Sequence, residues 1–303
     1  MMKKIAILFY VVLGSTALWS QQDAQTSMYF FNPLQFNPGY AGSRGTFNVT
    51  GVTRAQWIGW EGAPNTQFLS FHGPVLRQNI GLGGNIAYDR IGSRTALNAM
   101  ANFAYHLRLN DDNMRLSLGL SGGIQQYGYD FSGLIVNDPT DANYLNSFRQ
   151  TKANFGFGAY FYDKNFYAGL SIPRLIKRSI DNSTGNSYLQ RHIYLTGGYV
   201  HSFGSTFDIK PSVLVKYTGS GPIIADLNLS VHLYKRFWIG GLYRTTDCAG
   251  FNFAYQIKDW CSAGYAFDFP LNGKMVNQWA THELMISFDL RGKNNAIQSP
   301  RYF

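Results

Sequence analysis

From Asn113 to Tyr127 the chain alternates with period two: Met114, Leu116, Leu118, Leu120, Gly122 and Ile124 fall on one side, and Arg115, Ser117, Gly119, Ser121, Gly123 and Gln125 on the other. Successive side chains of a strand point to opposite faces, so this segment is a strand greasy on one face and wet on the other. About fourteen segments of roughly ten residues show the pattern, the length a tilted strand needs to cross a bilayer. In the clearest of them Leu82, Ile86 and Tyr88 oppose Gly81, Gly83, Asn85 and Asp89, while Phe103, Tyr105 and Leu107 oppose Asn102, His106 and Arg108. Likewise Phe155, Phe157 and Phe161 oppose Lys152, Asn154 and Gly158; Leu227, Leu229 and Val231 oppose Asp226, Asn228 and Ser230. Phe251, Phe253 and Tyr255 oppose Gly250, Asn252 and Gln256, and Leu284, Ile286 and Phe288 oppose Glu283, Ser287 and Asp289. Weaker segments lie at Phe47 to Trp57, Thr66 to Gly73, Asn165 to Ser171, Arg191 to His201, Phe207 to Tyr217, Phe237 to Thr245 and Trp260 to Phe267. The pattern predicts an all-β chain, a transmembrane antiparallel β-barrel of about 14 strands over residues 47–290.

Connection lengths test this separately. If the first strand rises from the periplasm, even-numbered links should be tight turns and odd-numbered links outer loops. The even links, such as Asp163 with Lys164 or Tyr234 to Arg236, are mostly tight; the odd ones include Ile58 to Asn65, Tyr129 to Thr151, Pro173 to Gln190 and Phe269 to Ala280. A soluble sandwich has no reason to sort its loops by parity.

Composition agrees with the pattern. Charged residues make up 14% of the chain and aromatic residues 16%, against about 25% charged in an average soluble domain. The 32 glycines, 20 tyrosines and 23 phenylalanines suit bent strands with aromatic girdles. A mean hydropathy of −0.17 excludes nothing, because half of each barrel strand faces water.

Lys3 and Lys4 precede an apolar run from Ile5 to Leu13 and then small residues, which reads as a secretory signal peptide over 1–20, cut after Ala17 or Ser20. No other stretch approaches the length of a membrane helix. The net charge of +9 is scattered and the chain is exported, so nucleic acid is not an expected partner. Arg174, Lys177, Arg178 and Arg191 form a basic cluster that can meet lipid phosphate or an acidic partner. Cys248 and Cys261 sit at different distances from the turn near Lys258, so two separate thiols are expected.

A barrel of about fourteen strands is too wide for wall side chains to fill, and its lumen holds water, a plug or a partner. Residues 21–46 do not alternate; they repeat Phe31-Asn32-Pro33 and Phe36-Asn37-Pro38, a stiff segment readable as a plug, a lid or a leader strand. The lumen-facing set carries Arg108, Arg115 and Lys152 beside Asp89, Asp226, Glu283 and Asp289, either paired wall charges or a selectivity ring. Residues 291–303 are expected to form a C-terminal periplasmic tail.

No catalytic, cofactor-binding or metal-binding residues are expected. Gly119-Leu120-Ser121-Gly122-Gly123 fits the G-x-S-x-G spelling, but that motif needs a strand turning sharply into a helix, and here it lies mid-strand. The six histidines are dispersed without ligand spacing, and no helix follows Gly81-Leu82-Gly83-Gly84 to cradle a phosphate.

Met28 to Pro74 resembles the N-terminal signature of the PorP/SprF family of type IX secretion and gliding outer-membrane proteins. The residues that carry it are Phe31-Asn32-Pro33, Asn37-Pro38-Gly39-Tyr40-Ala41-Gly42, Arg54, Gln56-Trp57 and Gly62-Ala63-Pro64-Asn65-Thr66-Gln67; Ser299 to Phe303 is similar to the family's terminus. The resemblance implies a non-enzymatic role in type IX secretion and in holding a secreted partner, such as a gliding adhesin, by its C-terminal sorting domain. Periplasmic secretion or motor components and outer-membrane lipid are the other implied partners. The candidate partner-binding residues are Phe31, Asn32, Pro33, Asn37, Pro38, Tyr40, Trp57, Trp60, Glu61, Pro64 and Trp279. The tryptophans also suit bilayer anchoring. The alternative function is a passive or hydrophobic-solute channel with an N-terminal hatch.

Overall fold

Backbone amides in hydrocarbon have no water to bond, so strands that cross a bilayer must close on themselves. The computed structural model describes residues 25–75, 79–110, 114–133, 147–176, 178–179, 188–204, 206–219, 221–245, 248–271 and 280–290. Its strands are β1 (Phe47–Ala55), β2 (Asn65–Val75), β3 (Ile80–Ile91), β4 (Arg94–Arg108), β5 (Arg115–Tyr129), β6 (Phe148–Tyr162) and β7 (Phe166–Ile172). Then come β8 (Ile193–Tyr199, resuming at His201–Phe203), β9 (Phe207–Tyr217), β10 (Ile224–Leu233) and β11 (Phe237–Arg244), followed by β12 (Cys248–Lys258), β13 (Cys261–Pro270) and β14 (Thr281–Leu290). Each pairs antiparallel with its chain neighbours, and β1 pairs with β14 from Phe47↔Leu290 to Ala55↔His282. The result is a closed barrel of fourteen strands, as the alternation predicted.

Side-chain alternation sets which face is which. Along β5 Leu118, Leu120 and Ile124 are exposed, while Arg115, Ser117, Ser121 and Gln125 are buried in the interior. In β10 Leu227 and Leu229 face out and Asp226, Asn228 and Ser230 face in. A protein with this much exposed leucine and phenylalanine around its wall needs hydrocarbon outside it. The Gly119–Gly123 motif sits inside the unbroken β5–β6 ladder, with no sharp turn.

Loops sort by end. Tight links such as Tyr234–Lys235, where both residues have positive φ (51° and 53°), join strands at one end. The long links lie at the other; one of them contains a two-residue ladder, Arg178–Ser179 with Tyr188–Leu189. Strand bounds differ from the sequence reading by a few residues, and β8 is interrupted at Val200, whose N–H still bonds the carbonyl of Asn165, the next residue in the β7–β8 register, at 2.6 Å. Cys248 and Cys261 are both buried and form no disulfide with one another. Residues 1–24 and 291–303, with the expected leader, tail and terminal signature, lie outside the described residues, as does Trp279.

The outward position of Leu120, 58% exposed near the middle of β5, generates a prediction. Leu120→Arg puts a charge in the hydrocarbon and should cost about 2–4 kcal/mol of folding into lipid, whereas Ser121→Ala, on the lumen face, should be nearly silent. Denaturant titration of folding into vesicles, read by heat-modifiable gel mobility, checks this; equal effects of the two changes would contradict the assigned faces.

Candidate functional site

The lumen is occupied by the chain's own residues 25–46, three single 3₁₀ turns at Tyr29–Phe31, Pro33–Gln35 and Pro38–Tyr40. Proline stands at the first position of the second and third turns, where its missing N–H costs nothing. Asn37 Oδ1 accepts the Gly39 N–H at 2.9 Å, an Asx turn, and its Nδ2 donates to the Ala159 carbonyl on β6 at 3.1 Å. Met28, Tyr29, Phe30, Leu34, Phe36, Tyr40 and Ala41 are all buried, and they bring the apolar contact that a barrel wall with a polar inner face does not supply to itself.

Four sets of polar contacts tie this segment to the wall. At the long-loop end, Glu283 on β14 accepts the N–H groups of Ser27 (2.8 Å) and Met28 (2.9 Å). Arg54 on β1 donates to Ser27 Oγ at 2.9 Å and pairs with Glu283 at 3.0 Å and Asp268 at 2.8 Å; the Ser27 hydroxyl also donates to Asp268. Arg54, Asp268 and Glu283 are each at most 3% exposed, so one guanidinium is shared by two carboxylates away from water. A second group centres on Asp226, held by Lys216 (2.6 Å) and Arg244 (2.8 Å), with Lys216 also donating to Gln25 at 2.7 Å. Mid-lumen, the Lys210 ammonium lies 5.5–5.7 Å from the ring centres of Phe30, Tyr167 and Trp238, a cation held among aromatic faces.

At the short-turn end Arg44 pairs with Asp289 at 3.2 Å and donates to the Tyr40 hydroxyl at 3.1 Å. Burial works against the Arg44 charge, but Tyr40 and Asp289 outweigh it and hold its pKa above the ordinary value. His72 Nδ1 accepts the Gly42 N–H at 3.0 Å. The Ala41 carbonyl accepts from His106 Nε2 at 2.9 Å, which leaves His106 Nδ1 to accept from Tyr162 at 3.1 Å, one consistent tautomer. Close approach there needs glycine: a Cβ on Gly81 would collide with the Ala41 carbonyl, and one on Gly42, at φ 78°, would lie 2.6 Å from Gly81 Cα.

The candidate partner-binding residues therefore fall in two places. Phe31, Asn32, Pro33, Asn37, Pro38 and Tyr40 are inside the lumen, where Asn32 accepts from Ser70 at 2.7 Å and Tyr40 stacks edge-on to Tyr160. Trp57, Trp60, Glu61 and Pro64 are on the β1–β2 loop at the long-loop rim. Gln56 N–H to Pro64 carbonyl (3.0 Å), Ile58 N–H to Ala280 carbonyl (3.1 Å) and Gly92 N–H to Gly62 carbonyl (2.8 Å) fix that loop. Trp57 takes φ 48°, costly for a non-glycine residue, and Ile58 and Trp60 are about half exposed.

Of the lumen charges, Asp226, Glu283 and Asp289 are ion-paired, but with Lys216, Arg244, Arg54 and Arg44, not with Arg108, Arg115 or Lys152. Pairing across the wall and to the inner segment describes them, not a ring. Arg54 stood in the sequence only as part of a signature, without a role. The signal that finds it is topological: first and last strands must pair in a closed barrel, and Arg54↔Glu283 face each other there with opposite charge. Between the inner segment and β3–β9 the long-loop end retains a partly open recess of about 930 Å³, solvent space included, lined by Gln35, Arg94, Asn98, Gln125, Arg174 and Lys216 among others.

A family model described as "Type IX secretion system membrane protein PorP/SprF" matches residues 19–288. No curated protein matches. Among solved structures of similar fold are the Acinetobacter baumannii outer membrane protein Omp33 (10% identity, TM-score 0.50, covering 81% of this chain and 98% of that one) and the CymD monoaromatic hydrocarbon channel (9%, 0.53, 89% and 94%). The Ralstonia pickettii toluene transporter TbuX is a third (9%, 0.50, 88% and 94%). At such identities the likeness is one of fold.

Removing one member of a buried ion group leaves the others uncompensated. Glu283→Ala is therefore expected to destabilise the barrel by about 3–5 kcal/mol and to produce channel openings in planar bilayers that the wild type lacks. Gly81→Val should likewise displace the Ala41–Gly42 turn and raise conductance. Denaturant midpoints and single-channel recording check both; quiet bilayers with either variant would show that these contacts do not hold the lumen closed.

Proposed function

The chain belongs to the type IX secretion system membrane protein PorP/SprF family, and from that premise we propose that it is a closed docking barrel that retains a secreted partner at the cell surface. It is an integral outer-membrane protein, with the family and fold of a secretion barrel or channel and not those of an enzyme family. In this reading the partner is a surface protein such as a gliding adhesin, engaged through its type IX C-terminal sorting domain. Residues 1–20 are the removed signal, residues 21–46 the plug, and residues 291–303 a periplasmic tail open to secretion or motor components.

The observation that carries the reading is the filled lumen. A segment bonded to the wall at both ends of the barrel, with three buried charges around Ser27 and Met28, is poorly suited to a passive pore. What stays accessible is the long-loop rim, where a hydrogen-bonded and strained loop presents Ile58 and Trp60. Side chains held in place before binding lose little entropy on binding. Trp57, Trp60, Glu61 and Trp279 are the proposed rim contacts; Pro64, which is buried, acts by fixing the loop through its carbonyl, and Phe31, Asn32, Pro33, Asn37, Pro38 and Tyr40 act indirectly, by shaping the plug beneath them.

A second reading, a hydrophobic-solute channel with residues 21–46 as its hatch, draws on the names of the hydrocarbon channel and the toluene transporter that share the fold. The two readings part on two measurements. Affinity capture of the full-length protein from detergent-solubilised outer membrane should recover a secreted protein bearing a sorting domain, and Ile58→Ala with Trp60→Ala should lower that recovery about tenfold, about 1.4 kcal/mol. Recovery of lipid and general porins alone, together with a steady wild-type conductance, would favour the channel.

A further inference from the structure

β4, β5 and β6 are each 15 residues long and β7 only 7, so the wall is taller on one side. About 9–11 tilted residues cross a bilayer, and the surplus shows in the side chains. Up to the row of Ala99, Ile124 and Ala153 the outward positions of these three strands are apolar; the next two rows are Leu97, Gln126 and Thr151, then Thr95, Gly128 and Arg149. Gln126 Nε2 donates to Thr151 Oγ1 at 2.8 Å on that outer side. The inner side changes the other way, to Tyr127 and then to Tyr129 and Phe148, whose rings stack 5.1 Å apart. An outer face that turns mostly polar while the inner face turns aromatic has left the hydrocarbon, so the tops of β4, β5 and β6 stand in water as a flap.

The outermost strand of this flap has a neighbour on one side. β7 pairs with β6 only from Phe157↔Ile172 to Tyr162↔Tyr167, and beyond that the Leu175 N–H bonds the Phe155 carbonyl at 2.9 Å. Further along, Arg178–Ser179 pairs with Tyr188–Leu189 instead. Backbone groups of alternate residues in an antiparallel strand point to opposite neighbours. Phe155 and Asp163 bond on the β7 side, so Ala153, Thr151 and Arg149 point there too. Their main-chain N–H and C=O groups have no partner among the described residues. Such a row is a template for a further strand. Charge selects which strand: Arg149 and Lys152 form no ion pair among the described residues, and Phe148 to Asn154 contains no carboxylate. A second copy of this edge would set like charges against each other, whereas an acidic strand answers them.

We propose that the β6 edge from Arg149 to Ala153 takes up an extended, carboxylate-bearing strand of the secreted partner, which adds antiparallel to the flap at the cell surface. The proposal rests on the docking reading for the source of the strand, and deepens it by naming how the partner is held. Main-chain bonds to three alternate residues supply the attachment, Arg149 and Lys152 supply the selection, and the inward side chains of the added strand lie beside Phe148.

Thr151→Pro is the direct test, because proline removes an N–H that points away from β5 and is tolerated on edge strands. Full-length protein in detergent is titrated with a labelled, N-acetylated and C-amidated peptide of alternating glutamate and valine as long as Phe148 to Asn154, and with its lysine counterpart. The acidic peptide should bind, and the lysine peptide at least tenfold more weakly. Thr151→Pro should weaken binding of the acidic peptide at least tenfold, while Thr151→Val leaves it unchanged. Arg149→Glu with Lys152→Glu should reverse the preference between the two peptides, which carries the test if the proline variant does not fold. No binding of the acidic peptide, equal binding of both peptides, unchanged binding by folded Thr151→Pro, an unchanged preference in the charge-reversed variant, or a wild-type dimer that Thr151→Pro dissolves would overturn the proposal. If Thr151→Pro captures the secreted surface protein in full, this inference falls and docking stands; if the wild type binds the acidic peptide but captures no secreted protein, docking falls and the edge stands.

Discussion

A peptide group in hydrocarbon has only other peptide groups to bond, and the architecture follows from that constraint. It demands that β1 find β14 across almost the whole length of the chain, which Phe47↔Leu290 through Ala55↔His282 achieve. Strand number and stagger together set the diameter, and a fourteen-strand cylinder leaves an interior that its own wall cannot fill. The wall's outward face is solved by lipid. Its inward face is a polar surface around a space, and residues 25–46 occupy much of that space.

The inner segment meets the polar wall with two kinds of contact. Its aromatic residues pack on one another and on Tyr160, Tyr167, Tyr194 and Trp238. Its backbone, in short 3₁₀ turns that leave many amides without partners, takes them from Glu283, His72, His106 and Asn37 instead. Buried charges are costly unless each is answered, and here Arg54 is answered by two carboxylates and Asp226 by two cations. Breaking one member is far more costly than the pair is stabilising, which makes such groups better as locks than as glue.

Much of the barrel was legible in the sequence because alternation of side chains is a local property. β9 runs from Phe207 to Tyr217, as its alternation indicates, and the inward Asp226, Asn228 and Ser230 of β10 are where period two puts them. The site was less legible because its contacts are not local. Period two says that Arg54 points inward but not that Asp268 and Glu283 meet it, more than two hundred positions away. The Asn-Pro repeats announced stiffness, and the glycine-lined seat of Asn37-Pro38-Gly39 at Gly119 and Gly158 only becomes visible once strands and segment are superposed in space. The interruption of β8 at Val200 also escaped, since the inward alternation of Tyr194, Thr196 and Val200 runs straight through it.

The central claim is that lipid, not a protein core, solvates the outer face of a closed wall. Spin labels placed singly from Leu116 to Ile124 in liposome-embedded protein test it through collision rates with oxygen, which partitions into lipid, and with a water-soluble nickel reagent. Labels at Leu116, Leu118, Leu120 and Ile124 should be accessible to oxygen and those at Ser117 and Ser121 shielded from it, an alternation with period two. Uniform accessibility along the strand, or nickel reaching Leu118 and Leu120, would contradict it.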